Sequence, residues 1–371
     1  MPTRVRSFSK INLGLAIGPP RPDGFHALVT LYQTLALHDV VSVSARRTLR
    51  TRILLQSNDS RVPTDSRNTA IRMVEKALVR LDLNAEVEIH IQKNLPIQGG
   101  MGAGSANAAA ALIGLERELG LEVPDRLAIA AEVGSDVPLF LIGGAVLGSN
   151  RGELVEPVRD LQFDGACEIH AVIALPRIGV STPQAFRDWD LRFADPATSP
   201  DLHSAPIRDT LNELSRAYAS VLQGDNPENE IRAGASGILH DSSPGAQVHQ
   251  TGQSPNDLAE NSLLALVRTG IENDFETVVF QQFPPLREIK RQLMGLDSGQ
   301  PAVYAALSGS GSALFGLYSS EPAAQAAQQR IRSMRIQYPG ISLGETQEQG
   351  VEAIVTKTLP RPLYWMNMFA E

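Results

Sequence analysis

The segment Lys93-Asn94-Leu95-Pro96-Ile97-Gln98-Gly99-Gly100-Met101-Gly102-Ala103-Gly104-Ser105-Ala106-Asn107 sets four glycines within six residues directly before an alanine-rich run. Few structures accommodate such a stretch. Glycines without Cβ atoms let the backbone turn its N–H groups inward and close on a ligand, and the helix that follows adds unpaired amides and the positive end of its dipole. A loop of this kind suits a polyphosphate. A small-residue loop that merely lets a helix pack closely would need one or two glycines, not four.

Two common phosphate loops do not fit. In a G-x-x-x-x-G-K-[ST] loop, Gly99 and Gly104 have the required spacing, but Ser105 stands where the lysine belongs. A dinucleotide fingerprint starting at Gly100 and Gly102 needs its third glycine at Ser105, and the chain start offers no strand, glycine loop and helix unit.

At 371 residues and 43% hydrophobic composition, the chain has material for two domains at roughly 150 residues each. Thirty-three Lys and Arg against 41 Asp and Glu leave a net charge of −8, so there is no basic excess to neutralise nucleic acid. The single cysteine, Cys167, forms neither an intramolecular disulfide nor a cysteine-rich metal site. The longest near-apolar run, Val137 to Gly148, carries Pro and Gly and falls short of the roughly 20 residues that cross a bilayer. The apolar stretch Ile11–Ile17 is broken by Asn12 and ends in Gly18-Pro19-Pro20, unlike a signal peptide. A soluble cytoplasmic protein with no membrane or nucleic-acid partner is expected.

Short apolar runs in the first 60 residues (Val5–Phe8, Ile11–Ile17, Leu28–Leu37, Val40–Val43, Arg52–Leu55) read as strands and hairpins of an antiparallel sheet. Asn68–Leu81 has helical spacing, and Val87–Ile91 alternates as a strand into the glycine loop. The next helix begins at Ser105, carries an apolar stripe through Leu119, and stops at Gly120; Pro124 opens another that ends near Val133. The second half reads as strands at Ile169–Leu175, Val303–Leu307, Ala313–Tyr318 and Val351–Lys357. Helices are expected near Pro183–Trp189, Leu211–Leu222, Leu258–Val267, Pro285–Met294 and Ala323–Met334. Gly224–Pro255 is rich in Gly, Ser, Pro, Asn and Gln and reads as a solvated insertion. The expected fold class is α+β in two domains, 1–160 and 161–371, with an irregular insertion at about 190–255.

Local sequence alone leaves the chemistry open. Asp136 in Gly134-Ser135-Asp136-Val137-Pro138 is either an ordinary turn residue or a carboxylate aimed into a cleft. Strand alternation puts Lys10 and Asn12 on one face, solvated or reaching a polar site. Gly309-Ser310-Gly311-Ser312 fits a hairpin turn as well as a ligand loop. Phe25-His26 after the Arg21-Pro22-Asp23-Gly24 turn is either a core pair or the wall of an aromatic pocket.

Taken in order along the chain, these motifs resemble the GHMP kinases. Arg-Pro-Asp-Gly-Phe-His, Gly-Ser-Asp-Val-Pro and Ser181-Thr182-Pro183 ahead of Phe186 point to one branch of that superfamily. The resemblance implies a ribosomal-protein-S5-like N-terminal domain, a ferredoxin-like C-terminal domain and an active site between them. It implies ATP as phosphoryl donor, as its Mg²⁺ complex with no protein metal site assigned, and a cytidine-diphosphate-linked sugar alcohol as acceptor. By the same resemblance Pro96, Ile97, Gln98, Gly99, Gly100, Met101, Gly102, Ala103, Gly104, Ser105 and Ala106 wrap the ATP phosphates, while Asn68 and Lys93 flank the nucleotide. Asp136 is the implied base and Lys10 its partner, with Asn12 nearby; Phe25, His26, Thr182 and Phe186 hold the cytidine end, and Gly309 falls in the third superfamily motif. Phe25 stands where the family carries Tyr, and Ala103 and Ala106 depart from its Gly-Gly-Gly-Ser-Ser-Asn loop. A kinase of the same superfamily for homoserine or mevalonate, and a nucleotide-binding relative without catalysis, are the alternatives.

Overall fold

A computed structural model describes residues 1–97, 99–193, 262–268, 270–339 and 346–371. Gln98, the expected helix at Leu211–Leu222, the insertion at Gly224–Pro255 and the start of the helix at Leu258 lie outside the described residues. The N-terminal half is a six-stranded sheet built on two long strands, β1 (Thr3–Pro20) and β2 (His26–Arg47), paired antiparallel along most of their length. The sequence suggested four shorter runs because Gly, Asp and polar residues interrupt the apolar pattern. In the structure the irregularities are absorbed as register shifts between Phe8 and Lys10, Asn12 and Gly14, and Ile17 and Pro20. β3 (Arg52–Ser57) runs parallel to β4 (Ala85–Gln92), which pairs with the C-terminal half of β2, so the sheet is mixed and not purely antiparallel. β5 (Ala145–Ser149) pairs with the other half of β2 and then with β6 (Leu154–Pro157).

Helices cover one face of this sheet. α1 (Thr69–Arg80) is capped by Asn68, whose side chain accepts the Ala70 N–H at 2.9 Å. α2 (Ala103–Leu119) starts two residues before the expected Ser105, because Gly102 adopts φ +68° and takes the N-cap position without a side chain. It ends at Gly120 in the left-handed conformation. α2 lies so close to the sheet that a Cβ on Gly114 would meet Val43 Cγ2 at 2.6 Å. α3 (Arg126–Val133) begins two residues after Pro124 and is followed by a 3₁₀ turn at Pro138–Leu141.

The second half is a four-stranded antiparallel sheet in the order β12 (Glu352–Lys357), β7 (His170–Leu175), β9 (Leu314–Tyr318), β8 (Tyr304–Leu307). Its helices are α4 (Thr182–Phe193), α5 (Ser262–Arg268), α6 (Phe275–Gln282), α7 (Pro284–Met294) and α8 (Glu321–Ser333). α4 runs past residue 190, into the stretch expected to be irregular. α6 and the ribbon β10 (Arg335–Pro339) with β11 (Thr346–Gly350) were not foreseen.

An apolar cluster that includes Ile11, Leu31, Leu35, Ile173, Phe315 and Leu317 joins the two sheets. The chain end returns to the first half: α9 (Arg361–Met366) buries Tyr364 in the N-terminal core, and its hydroxyl donates to the Phe140 carbonyl at 2.6 Å. Among the described residues no helix is long and apolar enough to cross a membrane.

Candidate active site

The glycine loop and the first turn of α2 form the wall of a cavity of about 360 Å³, completed by Arg61, Arg67, Asn68, Thr69 and Lys93. Two of its glycines are required by geometry. A Cβ on Gly100, at φ +71°, would stand 2.1 Å from the Ser308 carbonyl oxygen, and one on Gly102 would stand 2.9 Å from Phe140 Cζ. The loop therefore packs tightly against the turn between β8 and β9, where Ser308 Oγ donates to the Gly100 carbonyl at 3.0 Å. The first N–H groups of α2 have no acceptor within the helix and are available to an anion.

A second cavity of about 620 Å³ shares Gly100 and Gly102 with the first. At its floor Lys10 and Asn12, each 2% exposed, project from β1. Lys10 Nζ donates to Asn12 Oδ1 at 2.5 Å and lies 3.4 Å from Asp136 Oδ2. Asn12 Nδ2 donates to Thr30 Oγ1 at 2.8 Å, fixing the amide orientation. Asp136 sits in the turn between α3 and the 3₁₀ turn, where the Val137 N–H donates to the Gly134 carbonyl at 3.0 Å. Its carboxylate also accepts the Tyr32 hydroxyl at 3.1 Å. Burial, reinforced by the Asp136 charge, pushes the Tyr32 phenol well above its ordinary range, so it remains a donor.

The far end of this cavity is aromatic. The His26 imidazole stacks on Phe186 at 4.7 Å and 11°, and Phe275 meets Phe186 edge-on at 4.9 Å. Phe25, half exposed, also lines the cavity, with the Arg151 guanidinium 4.9 Å from its ring centre. Thr182, at the start of α4, exchanges a 2.7 Å hydrogen bond with Ser310 of the glycine turn. Gly309, at φ +57°, lies against Lys10 and Asn12, and Asn273 Nδ2 donates to its carbonyl at 2.8 Å.

Two family models match the chain: GHMP kinases N terminal domain at residues 68–144 and GHMP kinases C terminal at 256–336. A 4-diphosphocytidyl-2-C-methyl-D-erythritol kinase of Mycolicibacterium smegmatis (strain ATCC 700084 / mc(2)155) is 34% identical over 322 residues, 86% of this chain and 83% of the relative. The chain belongs to that family of GHMP kinases. A namesake from Rhodococcus jostii (strain RHA1) is 42% identical over 197 residues, 52% of this chain but 61% of the relative's own length. A crystal structure of 4-(cytidine 5'-diphospho)-2C-methyl-D-erythritol kinase superposes with a TM-score of 0.58 at 24% identity, covering 95% of this chain and 98% of that one. At that identity the likeness establishes the two-domain fold.

The GHMP kinase N-terminal match contains Asn68, the glycine loop and Asp136, and the C-terminal match contains Gly309. Lys10, Asn12, Phe25, His26, Thr182 and Phe186 lie outside both, and the fold brings them to the same cavity. Three loop-side residues have further engagements. Lys93 Nζ lies 2.5 Å from the fully buried Asp39 carboxylate. Asn68 spends its amide on capping α1 and on a 2.7 Å bond to the Pro63 carbonyl. Ala106 is buried in the N-terminal core, outside the cavity wall, whereas Ala103 lines that wall. Sequence reasoning missed Tyr32. A signal existed: Thr30, Tyr32 and Thr34 place three hydroxyls at alternate positions of the strand, on one face.

Proposed function

We propose that this protein transfers the γ-phosphoryl group of ATP to the 2-hydroxyl of 4-diphosphocytidyl-2-C-methyl-D-erythritol, a step of the non-mevalonate isoprenoid pathway. The observation that carries this reading is the Lys10–Asp136 pair, 3.4 Å apart, in a cavity that shares Gly100 and Gly102 with the glycine-loop cavity and ends in Phe25, His26 and Phe186. In this reading an ATP-binding domain spans 1–160 and a second domain 161–371.

Phosphoryl transfer is chiefly a matter of alignment and charge. The loop amides and the α2 N-terminus hold the polyphosphate. Asp136 accepts the proton that the acceptor hydroxyl gives up as the new P–O bond forms. Tyr32 and Lys10 keep that carboxylate aimed, and the Lys10 ammonium offsets charge on the transferring oxygens. ATP enters as its Mg²⁺ complex. Phosphates and water can hold such an ion with few protein ligands. Phe25 and the His26–Phe186 stack offer aromatic surface to the base, worth on the order of 1–3 kcal/mol per stacked base. Arg151 and Arg187 line the same cavity and offset the diphosphate charge.

The test is ATP turnover with the cytidylylated acceptor, homoserine and mevalonate offered separately. Turnover of only the first supports the proposal. Turnover of homoserine or mevalonate but not the first reassigns the acceptor, and no turnover with any leaves a nucleotide-binding protein.

A further inference from the structure

Phe186 and Asp190 are one helical turn apart on α4 and share a face. Both address His26. Phe186 stacks on its ring, and Asp190 Oδ1 lies 2.7 Å from its Nε2. The imidazole is 7% exposed and lines the larger cavity. Among the described residues its other nitrogen, Nδ1, has no hydrogen-bond partner. Nδ1 is not among the buried polar atoms sealed from solvent, and in a residue that lines the cavity it is open to a ligand group.

We infer that Asp190 is a positioning residue: it holds His26 in the tautomer that leaves Nδ1 an acceptor, so that the cavity selects a pyrimidine bearing an exocyclic amine over one bearing a carbonyl there. An ionised carboxylate can only accept, so the bond to Asp190 requires the hydrogen on Nε2. In the neutral ring Nδ1 then carries the lone pair. Cytosine presents an amine donor at the position where uracil presents a carbonyl acceptor, so the same nitrogen pairs with one and repels the other. The carboxylate acts through the histidine, as the acid of a catalytic triad fixes its imidazole. This inference rests on the cytidine-end reading given above.

The experiment compares wild type, Asp190→Asn and Asp190→Glu with the cytidylylated acceptor and its uridylylated counterpart. Asparagine offers either a donor or an acceptor and no longer fixes the tautomer; glutamate remains acceptor-only. In Asp190→Asn the cytidine-over-uridine ratio of kcat/KM is expected to fall about tenfold through KM, with kcat on the cytidine acceptor within about twofold. Asp190→Glu is expected to keep most of the preference, and KM for ATP is expected to stay unchanged in both. A ¹⁵N spectrum at a pH where the ring is neutral, assigned with His26→Asn, reads the tautomer without activity: protonated Nε2 and bare Nδ1 in wild type, a mixture in Asp190→Asn. If wild type turns over the cytidine acceptor while Asp190→Asn keeps both preference and spectrum, the role of Asp190 is overturned. If wild type turns over neither acceptor, the functional reading fails, and an unchanged Asp190→Asn spectrum overturns the tautomer assignment by itself.

Discussion

Replacing Lys93 by methionine isolates one buried charge at the root of the glycine loop. Asp39 is fully buried, and its Oδ2 lies 2.5 Å from Lys93 Nζ, itself only 6% exposed. Oδ1 accepts the N–H groups of Asn94 and Leu95, both at 2.7 Å, so the carboxylate ties down the two residues that lead into the loop. Removing one partner of a buried pair costs about 3–5 kcal/mol, because the other charge is left uncompensated. The two backbone donors survive the substitution, which puts Lys93→Met near the lower end, about 3 kcal/mol. Asp39→Asn in the same chain removes the stranded charge and is expected to restore about half of the loss. Urea unfolding reads both effects through Trp365, whose indole N–H donates to the Ile142 carbonyl at 2.9 Å. Trp189→Phe silences the other of the two tryptophans. A loss below about 1 kcal/mol in Lys93→Met would mean that the pair contributes no more than an exposed ion pair, against the value expected from its burial. In the double variant, KM for ATP then reports whether Lys93 also touches the nucleotide.

Four further substitutions have expected outcomes. Tyr32→Phe removes the 3.1 Å hydrogen bond to Asp136, a bond to a charged group worth about 1.5–3 kcal/mol, so steady-state kinetics should show kcat down roughly 10- to 100-fold with KM for ATP little changed. Gly102→Ala forces a Cβ at φ +68° to within 2.9 Å of Phe140 and should cost about 1–3 kcal/mol in thermal or urea unfolding. Gly104→Ala, whose nearest neighbour would be Thr69 Oγ1 at 3.6 Å, should fall within about 0.5 kcal/mol of wild type by the same measurement. Burial pushes the Asp274 carboxyl up to about 6 from 3.8. The folded state therefore holds that proton where the unfolded state has released it, and stability falls as pH rises between about 4 and 6. Asp274→Asn, which keeps an acceptor for the Ile17 N–H, should flatten this slope and gain up to about 3 kcal/mol at neutral pH, and parallel pH profiles of unfolding would contradict it.

The parts of the fold legible in the sequence are those where local chemistry and tertiary packing agree. Asn68 as a helix cap, Gly120 as a helix stop and the alternation of β4 each satisfy a local rule that the core then reinforces. Strand continuity was illegible in β1 and β2, because Ser9-Lys10 and His38-Asp39 look like breaks until Ser9 is seen to donate to the Leu37 carbonyl of the paired strand and Asp39 to pair with Lys93. The parallel pairing of β3 is set by α1 and its loops, which carry the chain back to the same sheet edge, and not by any residue of β3. In the site, Lys10 and Asn12 could be paired by alternation, yet nothing local said that both are buried. Tyr32, Asp39 and Asp190 escaped because their partners lie 104, 54 and 164 residues away. The return of Tyr364 to brace Phe140 is likewise a contact across 224 residues.

In the proposed reading Asp136 accepts the hydroxyl proton in an ATP-dependent kinase acting on the cytidylylated acceptor. Transfer of labelled γ-phosphate from ATP to that acceptor, followed with wild type and Asp136→Ala side by side at saturating ATP, tests it most directly. Transfer by wild type with a loss on the order of 10²–10⁴ in the variant, and nucleotide binding nearly unchanged, is the expected result. Full transfer by Asp136→Ala, or none by wild type, would contradict it.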